Sequence, residues 1–73
     1  METENLVRMA NSIAAFFNAD PDRDAAVQGV ANHIKSFWEP RMKAAILAHE
    51  AKGGEGLDEL VQKALAQIGR DAK

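Results

Sequence analysis

Pro40 governs what this chain of 73 residues can fold into, because of where it stands: in Phe37-Trp38-Glu39-Pro40-Arg41-Met42, near the middle. Proline has no amide hydrogen and its ring crowds the preceding turn, so no straight helix runs through it. The residue before a proline is pushed towards extended geometry, which here means Glu39. An aromatic pair that includes the only tryptophan therefore sits where the backbone must bend or restart. The residues on the N-terminal side read as helix leading into this corner, and those on the C-terminal side as helix leading away from it.

So short a chain buries only about 60% of the surface its unfolded form exposes, which leaves room for a single domain of marginal stability. The expectation is one small helical domain over residues 1–73, with residues 1–5 and 69–73 frayed. There are no cysteines, so disulfides, thiolate-bound metal and iron–sulfur clusters are excluded. Hydrophobic residues make up 47%, a normal share for a folded domain. The net charge of −2 and pI near 5.6 argue against a nucleic-acid binder, which would show a basic face. Met1-Glu2-Thr3-Glu4 is acidic where a secretory signal is basic. No apolar run exceeds five residues, Ile13–Phe17 and Ala44–Ala48 being the longest, far short of a membrane span. The chain reads as soluble and cytoplasmic.

A first helix is expected from a cap at or beside Thr3 to about Asn18, with Leu6, Ala10, Ile13 and Phe17 on one line. Met9 and Phe16 flank that line on one side, Val7 and Ala14 on the other, while Glu4, Arg8, Asn11 and Ser12 form the polar half. Asn18-Ala19-Asp20-Pro21-Asp22 is a stop and restart, with Asp20 suited to the N-cap and Pro21 to the first helical position. The second helix should run from Pro21 to about Trp38. Val27, Val30, Ala31, Ile34, Phe37 and Trp38 form its apolar face, with Gly29 on the far side. A third helix should run from Pro40 to about Lys52, with Met42, Ala45, Ile46 and His49 on one stripe and Leu47 elsewhere. Gly53-Gly54-Glu55-Gly56 ends it, since glycine readily takes the left-handed C′ conformation. A fourth helix over about Leu57–Ile68 presents Leu57, Leu60, Val61, Ala64, Leu65 and Ile68, packed less firmly across its glycine hinge. The fold class is all-α, a small bundle of three to four short helices.

Residues that could carry chemistry do not assemble into a motif. His33, His49 and Glu50 invite a metal reading, but the two histidines lie sixteen residues apart on different helices, without the tight spacing of zinc ligands. Thr3, Ser12 and Ser36 are the only hydroxyl residues, and none stands in a Gly-x-Ser-x-Gly turn. The glycine run follows no strand and lacks a Gly-Lys-Ser/Thr ending, which leaves it a hinge and not a phosphate cradle. Lys35, Arg41 and Lys43 near Trp38 suggest base stacking, yet neighbouring acids and the net charge oppose it. None of the helices is basic enough for a recognition helix. No catalytic residue, metal ligand or cofactor site is expected.

The stretch around Pro40 has two readings, a core corner or a partner anchor, since tryptophan, arginine and methionine are enriched at interfaces. Phe16, Phe37, Trp38, Arg41 and Met42 are the candidate interface residues. Two adjacent aromatic pairs, Phe16-Phe17 and Phe37-Trp38, offer more apolar surface than so small a bundle encloses. Self-association of the isolated chain is therefore expected, with Phe16 or Phe37 near the contact.

The chain resembles the delta subunit of soluble NAD-dependent, molybdenum-containing formate dehydrogenases. The likeness rests on Met9-Ala10-Asn11-Ser12-Ile13-Ala14-Ala15-Phe16-Phe17, on His33, on the specific block Phe37-Trp38-Glu39-Pro40-Arg41-Met42, and on Gly53-Gly54-Glu55-Gly56-Leu57. It extends from about Leu6 to Ala66, with Ser12 standing where glutamine is common. The resemblance implies an accessory subunit of a cytoplasmic complex that oxidises formate and reduces NAD. Its partners would be the other subunits, above all the molybdenum-bearing large subunit, and these would hold the molybdenum cofactor, iron–sulfur clusters and flavin. Two roles stay open under it: stabilising the assembled complex, or assisting insertion of the molybdenum cofactor. No catalytic motif carries over.

Overall fold

Four helices account for most of the computed structural model, which describes residues 2–71: α1 (Thr3–Phe17), α2 (Arg23–Phe37), α3 (Pro40–Ala51) and α4 (Glu59–Asp71). The all-α expectation is met, with four helices and no strand among the described residues. Each boundary has a chemical cause. α1 starts beside Thr3 with Glu2 at its N-cap, and no side chain caps it. α2 begins two residues later than expected. Asp20 is not its cap: it accepts the Asp22 amide, holding Pro21 in a bend, and Asp22 accepts the Ala25 amide as the N-cap. α3 starts at Pro40 as expected, because a missing amide costs nothing at the first position of a helix.

The glycine run closes α3 in a Schellman motif. Gly53 donates to the Glu50 carbonyl and Gly54 to the His49 carbonyl, both at 3.0 Å. Gly53 and Gly54 have φ of 114° and 64°, in the region that only glycine takes cheaply. α4 starts after Asp58, whose carboxylate accepts the Leu60 amide at 2.8 Å, so the start falls two residues beyond the expected Leu57. At its other end the helix continues through Gly69 and Arg70 to Asp71. Residues 1, 72 and 73, where fraying was also expected, lie outside the described residues.

The core is wholly apolar. Leu6, Val30, Ile34, Ile46, Val61 and Leu65 are fully buried, each worth about 1.5–3 kcal/mol. All six residues expected on the inner face of α4 are buried. α4 packs against α1, α2 and α3, so the expectation of a loosely attached last helix is corrected. Its connection is pinned: Asn11 donates to the Gly56 carbonyl and accepts the Asp58 amide, and His49 Nε2 lies 2.8 Å from the Glu55 carbonyl.

On α1 the buried line is Leu6, Ala10 and Ala14, with Ile13 and Phe17 only partly covered. On α2 it is Ala26, Val30, Ala31 and Ile34. Gly29 is not on a far side. It faces the Phe17 ring so closely that a Cβ there would fall 2.4 Å from Phe17 Cε1. This notch lets the end of α1 rest on α2.

Candidate interaction surface

The two residues at the end of α2 decide which aromatic goes where at the Pro40 corner. Trp38 is the C-cap, with extended backbone (φ −83°, ψ 140°) and its amide donating to the Ile34 carbonyl at 3.1 Å. That turn swings the indole inward. Trp38 is 6% exposed and belongs to the core, so it does not project as a partner anchor. Burial is the favoured outcome for the largest apolar side chain in the sequence. Phe37, the last residue of the helix, points the other way and is 74% exposed. Its ring lies on that of His33, with centroids 4.9 Å apart.

The remaining candidates at the corner divide by exposure. Arg41 is exposed, and its guanidinium meets no hydrogen-bond or ion-pair partner among the described residues. Met42 is partly buried against the core. Lys43 reaches back to donate to the Lys35 carbonyl. Pro40 thus makes a rigid corner from which Phe37 and Arg41 project.

Phe16 is 75% exposed at the end of α1 and meets Phe17 edge to face, with centroids 5.0 Å apart. Phe17 in turn rests on Gly29. Gly29, His33 and Phe37 succeed one another by single turns along one flank of α2. Phe16, Phe17, Gly29, His33 and Phe37 therefore form one aromatic line along the α1–α2 side. Phe37 stands about 12 Å along the helix axis from Gly29. Met9, one heptad from Phe16 on the same stripe of α1, is 45% exposed. Burying a phenylalanine yields about 1.5–3 kcal/mol, so each exposed ring leaves most of that to a partner.

Met9 and Gly29 were not among the interface candidates read from the sequence. The signal that finds them is charge. Residues 9–19 and 25–34 contain no Asp, Glu, Lys or Arg, in a chain where 27% of residues are charged.

The polar residues weighed for chemistry are scattered. His33 meets the Phe37 ring at a tilt of 43°, while His49 holds the glycine loop beside a cleft lined by Thr3, Glu4, Val7 and Gly56. Among the described residues no group of three or more His, Cys, Asp or Glu converges. No helix among them is long and apolar enough to cross a membrane.

Four helices around an apolar core, with an exposed aromatic line along the α1–α2 side, define a small helical protein whose most distinctive feature is a surface. The chain belongs to the NADH-dependent formate dehydrogenase delta subunit family, FdsD, whose match spans residues 5–65. No curated protein and no solved structure matches the chain.

Proposed function

We propose that the chain is a non-catalytic accessory subunit of a cytoplasmic NAD-dependent formate dehydrogenase, docked on the molybdenum-bearing large subunit and stabilising or assembling it. The observation that carries this reading is the pair of phenylalanines, Phe16 and Phe37, left three-quarters exposed on a member of the delta subunit family. Exposed aromatic surface of this kind is costly in a free monomer and favours a protein contact. Arg41, beside Phe37, offers a planar and permanently charged fork to a carboxylate or carbonyl on the partner. The sequence has no cysteine to hold an iron–sulfur cluster, so any such cluster of the complex lies in the other subunits.

Purification of active formate dehydrogenase from the native source, with quantification of each subunit, tests the proposal. The expected result is this chain at a fixed stoichiometry in the active enzyme. Its presence only on cofactor-free large subunit would reassign it as a maturation chaperone that leaves once the molybdenum cofactor is in place. Purification entirely free of formate dehydrogenase at physiological concentration would defeat the reading.

A further inference from the structure

We propose that a chain free of its partner covers its α1–α2 side with a second copy of itself, paired antiparallel about a twofold axis. Three independent observations converge on this. The first is the charge gap: the α1 stripe of Met9 and Phe16 and the α2 flank of Gly29, His33 and Phe37, joined at the Phe17–Gly29 contact, carry no Asp, Glu, Lys or Arg. Solvated helix faces carry charge, whereas interface cores are depleted of it.

The second is the placing of the exposed rings. Phe16 lies at the α1–α2 turn and Phe37 at the Pro40 corner, so an antiparallel pairing sets Phe16 of one copy towards Phe37 of the other, twice.

The third is the sign of the charges at the two ends. The turn carries Asp20, Asp22 and Asp24 against Arg23 alone, and Arg23 is already held by the Asn18 side chain and the Asn18 and Asp20 carbonyls. The corner carries Arg41 and Lys43 against Glu39. The twofold operation brings the acidic end of each copy onto the basic end of the other. The chain is also of the size at which one core seldom suffices and oligomerisation commonly supplements it.

The test is sedimentation equilibrium of the full chain from micromolar to millimolar concentration, with variants that leave the core intact. Met9 is 45% exposed on the Phe16 stripe, outside the core, and Ala48 is exposed on α3. Wild type and Ala48→Glu should form dimers. Met9→Glu, Arg41→Glu and Asp20→Lys should each weaken dimerisation by more than about tenfold while keeping their helical circular dichroism.

Mixing Arg41→Glu with Asp20→Lys should restore a one-to-one dimer, since each variant presents the charge that the other's altered end requires. A monomeric wild type at millimolar concentration overturns the inference, as does full dimerisation of Met9→Glu. So does a folded Arg41→Glu and Asp20→Lys mixture that stays monomeric. A monomeric wild type that still travels with formate dehydrogenase leaves the accessory-subunit proposal standing, and a dimer never found with that enzyme does the reverse.

Discussion

Gly29 matters for the side chain it lacks. In an open helix interior, glycine to alanine gains about 0.5–1 kcal/mol. Here the new Cβ would lie 2.4 and 2.5 Å from Phe17 ring atoms, and forcing such an overlap typically costs about 1–3 kcal/mol. Gly29→Ala should therefore lower stability by about 1 kcal/mol, and pairing it with Phe17→Leu should recover most of the loss in a double-mutant cycle of thermal melts. A stabilising Gly29→Ala would show that the ring yields freely and that the notch is not what seats α1. Asn11 supplies the other residue-scale contact, since its amide group makes one bond to Gly56 and accepts one from Asp58. Asn11→Ala should cost about 2 kcal/mol, near 1 for each bond, read as a lowered urea midpoint at unchanged slope. A loss of only a few tenths would mean that His49 and the Schellman turn hold the loop unaided.

At the scale of the element, legibility depends on whether polarity or available room decides which side chain goes in. On α4 polarity and burial coincide, so its five core residues, with Leu57 just before the helix, could be read from 3.6-residue spacing alone. On α1 the buried line moved towards Ala10 and Ala14, because small residues are needed where backbones approach closely. Spacing places Ile13 and Phe17 on that line as plausibly, since a wheel weighs polarity and not the room available. Asp20 and Asp22 are equally good caps by type; the Asp22 amide donating to the Asp20 carboxylate, and the Ala25 amide donating to that of Asp22, decide between them. At the corner, adjacent aromatics lie about 100° apart on a helix, so periodicity shows that one of Phe37 and Trp38 goes in without saying which. The extended backbone at Trp38 makes that choice, which is why the tryptophan expected at an interface is found in the core. Gly29 was misplaced because glycine carries no polarity for a pattern to register. The exposed aromatic side was legible in part: Phe16 and Phe37 were named from composition, but their common line depends on the Phe17–Gly29 contact, which no local pattern contains.

For the whole molecule, the radius of gyration of 11.0 Å matches the roughly 11 Å of a compact domain this long. No buried side-chain nitrogen or oxygen among the described residues lacks a hydrogen-bond partner. The exposed rings are therefore not the sign of an unfinished core. They are surplus on a structure that already closes, and the central claim is that this surplus is a docking surface. The most direct measurement is capture of the formate dehydrogenase large subunit by Arg41→Ala and Phe37→Ala, each beside a thermal melt of the same variant. Both side chains are exposed, so both melts should stay close to wild type, unlike that of Trp38→Ala, which should lose about 3–5 kcal/mol. Capture should fall for both variants, by the ~2 kcal/mol or more typical of a hot-spot residue. Undiminished capture by both, with undisturbed melts, would contradict the assignment of this side as a docking surface.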